Sequence, residues 1–238
     1  MNPSRWRMAW LRWLAATAVT LLLFNLFPQI DLTVSAALHD AAAAGLERFP
    51  LGQTAPVQAL YHAVPWLGRL ALIVALVRVL RRDTPPRPRR QATAVLLMLV
   101  LGLWLTVNVG LKDQWGRPRP VEISAFGGLH DFMPAGQPGG GCERNCSFVS
   151  GHAATGFALA AVGLLGTPAR RRRWQRAGLV AGLLIGAGRV LQGGHFTSDI
   201  VCAGLAMHLC ALLIRQGWVM WHWYRTGRHR YRAARIAR

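Results

Sequence analysis

Six blocks of apolar sequence, separated by clusters of arginine, constrain this chain more than any other feature. They fall at about 8–27, 60–80, 92–111, 153–167, 177–191 and 198–214. A helix needs roughly 20 residues to cross the hydrocarbon core of a bilayer, so the short fourth and fifth blocks have to extend into flanking polar residues. Inside lipid every backbone polar group must be paired within its own element, which selects helices over an open sheet. The sequence therefore predicts an all-α protein built as a six-transmembrane-helix bundle. Of its 238 residues 53% are hydrophobic and 16% charged, yet the formal net charge is +19. In a soluble protein that charge would point to nucleic acid. Here the arginines lie at the ends of apolar runs, so a lipid bilayer with anionic headgroups accounts for them and no nucleic-acid partner is expected. Most of the ten tryptophans, Trp6, Trp66, Trp115 and Trp218 among them, also lie near run ends, as in an interfacial aromatic belt.

The arginines also orient the bundle. Arg81, Arg82, Arg87, Arg89 and Arg90 form one cluster, and Arg170, Arg171, Arg172, Arg173 and Arg176 another. Arg225, Arg228, Arg230, Arg232, Arg235 and Arg238 make 225–238 a basic tail to one membrane domain over 1–238. The segments between are poor in cations: 28–59 holds only Arg48. The positive-inside rule puts both termini and the clusters in the cytoplasm, and 28–59, 112–151 and 192–197 outside. Arg5, Arg7 and Arg12 precede or enter the first run with no small-x-small cleavage site after it, so it reads as a retained span. An Ala-rich stretch at 32–49 reads either as an interfacial helix or as a packed linker. Prolines at 85, 86 and 88 predict a stiff, non-helical turn over 83–88, and the Gly/Pro-rich 134–141 a flexible loop. Arg69, inside the second run, is costly there unless it snorkels or the span begins later.

Three short clusters carry the chemistry, and all fall on the side assigned as outer. Lys112 and Arg119 lie where the third run ends and Gly116 and Pro118 break the helix. An ammonium and a forked guanidinium complement the oxygens of a phosphate, although basic residues at span ends also serve as interfacial anchors. Ser150-Gly151-His152 opens the fourth run. Ser suits the N-cap of a helix, whose free N–H groups attract anions, and Gly lets the backbone come close. The histidine there reads either as a catalytic group or as a packed one. Arg189, His195 and Asp199 bracket the turn between the fifth and sixth runs. His195 and Asp199 are four apart and meet on one face if the last helix starts by His195. A carboxylate holding one imidazole N–H leaves the other nitrogen free to attack, and the bland alternative is a structural hydrogen bond that closes a turn.

Jointly the clusters resemble the type 2 phosphatidic acid phosphatase family, which shares its site design with vanadium haloperoxidases. The family pattern is Lys-x6-Arg-Pro, then Pro-Ser-Gly-His, then Ser-Arg-x5-His-x3-Asp. This chain carries Lys112 to Arg119-Pro120, Val149-Ser150-Gly151-His152, and Gly188-Arg189 to His195 and Asp199. The resemblance covers a motif core at 112–199, with Val149 in place of the proline and Gly188 in place of the serine. It implies that Lys112, Arg119 and Arg189 bind phosphate with hydrogen bonds from Ser150 and Gly151. It further implies that His195 attacks phosphorus to form a phosphohistidine, that Asp199 orients it, and that His152 protonates the leaving oxygen. Three cations can take the place of magnesium around a transferring phosphoryl group, so no metal and no cofactor is expected. Arg117 is a further cation available to headgroup recognition.

Cys142 and Cys146, just before the second motif, read as a disulfide if that side is the oxidising periplasm, or else as part of a metal site. Cys202 and Cys210 read as buried free thiols. The segment from Cys142 to His152 resembles bacterial lipid A phosphatase relatives. The expectation is thus a phosphatase of the bacterial inner membrane, its site facing the periplasm, acting on a phosphorylated membrane lipid such as lipid A. Undecaprenyl pyrophosphate, phosphatidylglycerol phosphate and phosphatidic acid are other candidate substrates. A lipid phosphotransferase with the same histidine intermediate, and a non-catalytic membrane scaffold, are the competing readings. The oligomeric state is left open.

Overall fold

The computed structural model describes residues 3–139 and 141–236. Gly140 of the glycine-rich loop and Arg238 of the basic tail lie outside the described residues, as do the side chains of Arg5, Arg228, Arg230, Arg232 and Arg235. The chain forms α1 (Pro3–Leu26), α2 (Gln29–Ala36), α3 (Ala55–Leu80), α4 (Pro86–Lys112), α5 (Gly151–Leu164), α6 (Pro168–Leu191) and α7 (Thr197–Ile236). Among the described residues there is no β-strand, only an isolated bridge between Ile123 and His130. Each of the six apolar blocks falls on a helix. Four stretches, Trp6–Leu26, Ala55–Leu80, Pro86–Lys112 and Thr197–Arg225, are long and apolar enough to cross a membrane. The apolar α5 is shorter, and α6 carries five arginines in its first nine residues.

The outside of the molecule is apolar. Leu67, Leu70, Ile73, Leu76 and Leu80 of α3 are all largely exposed, and α1 presents Leu11, Leu14, Val19 and Leu22 in the same way. At roughly 1 kcal/mol for each half-exposed aliphatic side chain, α3 alone would forfeit several kcal/mol in water. That is a large part of the ~5–15 kcal/mol that holds a domain together. Lipid removes the penalty. The interior is built from small residues. α5 and α6 cross so closely that a Cβ on Gly156 would lie 2.7 Å from the backbone nitrogen of Gly182. Gly178, Gly182 and Gly186 recur every four residues along α6, the small-xxx-small spacing by which membrane helices approach. α6 is thereby held against α5 on one side and α7 on the other, which brings Arg189 toward both histidine-bearing segments.

Three local expectations are revised. Residues 83–88 are not wholly non-helical, because α4 starts at Pro86. A first-turn N–H has no intrahelical acceptor, so a proline there gives up nothing and its φ is already helical. The stretch 32–49 is not one helix: α2 ends at Ala36 and turns follow, with a 3-10 turn at Gly45–Arg48. Arg69 does not mark a late start of the second span, since α3 begins at Ala55. Its guanidinium lies 4.7 Å from the centre of the Trp66 ring, on the helix surface.

At one end of the bundle, Trp10 Nε1 donates to Gln216 Oε1 at 2.9 Å, and Arg215 stacks on Trp6 at 4.7 Å. At the other end, the segments after α1, α4 and α6 pack on one another. A small core of Phe49, Ile123, Phe126 and Phe196 joins them. Val121 N–H donates to Gly193 O at 3.1 Å, and a Cβ on Gly52 would meet the Cα of Gln192 at 2.5 Å. The three motifs sit under this cap.

Candidate active site

Each cation arrives from a helix end or a break after one. α4 widens into π-helical turns over Met98–Lys112 and ends at Lys112, which is buried. The chain then turns at Gly116, whose φ of 72° lies in the left-handed region. Arg119 Nη2 donates to Asn145 O at 2.7 Å. Arg189, buried near the end of α6, stacks on the Tyr61 ring at 4.7 Å and donates from Nη1 to Gln192 Oε1. The three cations lie within one another's field, and both imidazoles feel Lys112 and Arg189.

Ser150 is the N-cap of α5. Its backbone is extended, its Oγ accepts from Ala153 N–H at 3.4 Å, and its own N–H donates to Asp199 O at 3.4 Å. Gly151 follows as the first helical residue, where a Cβ would come within 3.2 Å of Asn108 Oδ1. His152 stacks on Tyr61 with ring centres 4.9 Å apart, and its Nε2 lies 3.3 Å from Tyr61 O. A carbonyl can only accept, so this nitrogen is the protonated one in that contact. The acceptor is free for a sequence reason: Pro65, four residues on, has no N–H to return to Tyr61 O.

His195 is fully buried. The last helix starts at Thr197, so the four-residue spacing does not act as a helical pair. His195 Nδ1 lies 2.7 Å from Ser147 O and 3.7 Å from Asp199 Oδ2. The direct partner that sets its tautomer is therefore a backbone carbonyl, with the Asp199 carboxylate behind it. His195 Nε2 is buried with no hydrogen-bond partner among the described residues, and the same is true of Arg189 Nε. Burial, reinforced by Arg189 and Lys112 and opposed by Asp199, holds the His195 imidazolium down to about 3. The ring is neutral at ordinary pH, and with Nδ1 donating to Ser147 O its unprotonated nitrogen is Nε2.

Arg117 is not a spare cation for a headgroup. It is fully buried, and Nη1 donates to Asp199 Oδ1 at 2.6 Å while Nη2 donates to Asp31 Oδ2 at 2.9 Å. Asp31, on α2, was missed by sequence reasoning. A lone acid beside a membrane boundary, expensive unless paired, was the signal that could have found it. Ser147, Tyr61 and Gln192 were missed as well, and only the fold brings them here.

Cys142 and Cys146 are joined by a disulfide with Cα atoms 5.7 Å apart, in place of a metal site, and Cys202 and Cys210 are buried free thiols. Among the described residues no group of three or more His, Cys, Asp or Glu side chains is arranged to hold a metal ion. A groove of about 830 Å³ starts at Lys112, Asn145, Gly151 and His152 and continues between α3 and α4, past Arg69, Leu72 and Trp104.

This constellation, with two imidazoles beside three cations at the end of a membrane bundle, can hold an anion and offer it one unprotonated ring nitrogen. The chain is 32% identical over 196 residues to a lipid A 4'-phosphatase of Francisella tularensis subsp. novicida (strain U112), covering 80% of this chain and 87% of the relative. It is 35% identical over 209 residues to a lipid A 4'-phosphatase of Rhizobium leguminosarum, covering 82% and 88%. The crystal structure of a transmembrane PAP2 type phosphatidylglycerolphosphate phosphatase from Bacillus subtilis aligns over 90% of this chain and 96% of its own, with a TM-score of 0.43 and 19% identity. The PAP2 superfamily profile matches residues 91–226, more than half of the sequence, and the chain belongs to that superfamily.

Proposed function

We propose that this protein is a phosphatase of the bacterial inner membrane that removes a phosphate monoester from lipid A or a closely related lipid, at the periplasmic face. The observation that carries the reading is the state of His195: Nδ1 tied to Ser147 O, Nε2 buried and unpartnered, the ring neutral beside Lys112 and Arg189. A lipid phosphate would enter among Lys112, Arg119 and Arg189, with Ser150 and the first N–H groups of α5 on its oxygens. The Nε2 lone pair attacks phosphorus and the bond from phosphorus to the lipid oxygen breaks. The leaving alkoxide takes a proton from His152. That proton is available once the phosphate's negative charge offsets the three cations around the ring. Water then attacks phosphorus, giving its proton back to His152 as the phosphorus–nitrogen bond breaks, and inorganic phosphate leaves. The Asp199 carboxylate stabilises the positive charge that the phosphorylated imidazole carries. The cations compensate the spreading phosphoryl charge, so the step is metal-independent.

The topology follows from charge. With α5 and α6 completing the bundle as fourth and fifth spans, the arginine clusters lie inside, both termini are cytoplasmic, and the motif end faces out. The groove between α3 and α4 takes an acyl chain of the lipid. Lipid A is favoured as substrate by the relatives, whose names carry that activity.

The test is phosphate release by the purified protein in detergent, with and without chelator, from 4'-phosphorylated lipid A, phosphatidic acid, phosphatidylglycerol phosphate and undecaprenyl pyrophosphate. Lipid A is expected to be the best substrate, with turnover unchanged by chelator. His195→Ala should lower turnover by ~10⁴-fold or more, as removal of a nucleophile does. Release untouched in both His195→Ala and His152→Ala would end the reading. Phosphate found on a second lipid and not in solution would make the protein a phosphotransferase.

A further inference from the structure

α2 lies outside the matched residues 91–226 and carries none of the three motifs. We propose that Asp31 is a positioning residue for the His195–Asp199 pair, acting through Arg117 and the first turn of α7. The inference rests on the phosphatase reading and names a part of that site which the motifs do not contain.

Arg117 is used in every direction. Besides the two carboxylates, Nη1 donates to Ser198 Oγ at 2.7 Å and Nε to Met133 O at 2.7 Å, and the guanidinium carbon lies 4.3 Å from the Phe196 ring centre. Asp31 uses both oxygens. Oδ1 accepts from Ser198 N–H at 2.9 Å, and Oδ2 accepts from Ser198 Oγ–H at 2.5 Å as well as from Arg117. The start of α7 leaves N–H groups without intrahelical acceptors. Asp31, 167 residues away in sequence, supplies the acceptor for one of them and so fixes where Asp199 sits on its first turn. Asp199 Oδ2 in turn accepts from Ser147 Oγ at 2.5 Å and Phe196 N–H at 2.8 Å, which holds the residue whose carbonyl orients His195.

Charge gives Asp31 a second effect. Two carboxylates share one guanidinium, so the buried trio carries a net charge of −1 when both acids are ionised. Burial pushes the Asp31 carboxyl up, opposed by Arg117, and its acceptor contacts with two N–H donors and a hydroxyl favour the anion. His195, Lys112 and Cys202 are the other titratable groups that feel Asp199. Without Asp31, Arg117 would neutralise Asp199 alone, and the imidazole that turns cationic on accepting the phosphoryl group would lose its counter-charge. Lys112, Arg119 and Arg189 would still bind substrate. The predicted signature is therefore a loss in kcat and not in KM.

The experiment compares wild type, Asp31→Asn, Arg117→Met and the double variant, purified in detergent, on the lipid that wild type hydrolyses best, with His195→Ala as the blank. Asp31→Asn keeps the shape of the side chain and is the variant surest to fold; monodisperse elution checks each one. Asp31→Asn should lower kcat on the order of 10–100-fold, the loss typical of groups that orient a reacting histidine, and leave KM within about twofold. The double variant restores a net −1, so it should be no slower than the slower single variant. Wild-type kcat in Asp31→Asn, a rise in KM that accounts for its loss, or losses that multiply in the double variant would each overturn the proposal. A wild type that releases phosphate from no lipid would instead sink the phosphatase reading.

Discussion

Two ion pairs of nearly equal length mark the contrast between the ends of this molecule. Arg117 meets Asp199 at 2.6 Å with both side chains fully buried, whereas Arg81 meets Asp83 at 2.7 Å with both largely exposed, in the turn before α4. Distance therefore says little about what a pair does. In water the attraction is screened and the cost of ordering two side chains offsets most of it. Under the cap, removal of one partner would strand a charge that cannot be rehydrated, a loss of about 3–5 kcal/mol. The arginine-rich end meets solvent with charges that suit orientation in the membrane. The motif end buries Arg117, Asp31 and Asp199 and holds each with several donors or acceptors, as a site that stabilises a charged transition state requires.

The contrast can be broken from the motif side first. Lys112→Ala should remove one of the three cations proposed to hold the phosphate and lower kcat/KM by ~10²–10³-fold in the phosphate-release assay. Next is the packing that brings α6 to the site. A Cβ at Gly182 would sit 2.3 Å from the Phe157 ring, so Gly182→Val should destabilise the protein by about 1–3 kcal/mol, read as a lower unfolding midpoint in detergent. The third test uses acid. His195 is held down to about 3 in the folded protein but titrates near ~6.5 when unfolded, so between these values the unfolded chain binds more protons. The His195 contribution to stability should be level above pH ~6.5 and fall as the pH drops toward 3, and His195→Asn should show a shallower fall in thermal melts across that range. Last, Arg81→Ala should leave both the melting point and the activity where they were, since its pair is exposed.

Much of this was legible in the chain. The apolar blocks located helices at all six positions because long apolar runs have few other uses, and the arginine clusters separated the two ends. The motif residues could be picked out by spacing and residue type, and the fold gathers them under one cap. Local rules failed where a neighbour decided. Pro86 and Pro88 were read as helix breakers, but the first turn of a helix has no use for the N–H they lack. Spacing puts His195 and Asp199 on one face only if the last helix starts by His195, but α7 begins between them and the tighter contact of the imidazole is with Ser147 O. Residue type makes Arg117 a cation available to a headgroup, but the fold holds it between two buried carboxylates.

Sequence patterning settled the helical class, the membrane environment and the apolar exterior. These follow from composition along a single stretch and from the hydrophobic effect, which needs no partner to be named. Tertiary structure decided which buried charge faces which. Asp31, Arg117 and Asp199 come from three distant segments, and the acceptor for His152 exists because Pro65 lies four residues beyond Tyr61 on another helix. Such pairings depend on where chains cross. The free energy of a buried charge is set by atoms within a few ångströms in space, whatever their separation along the chain.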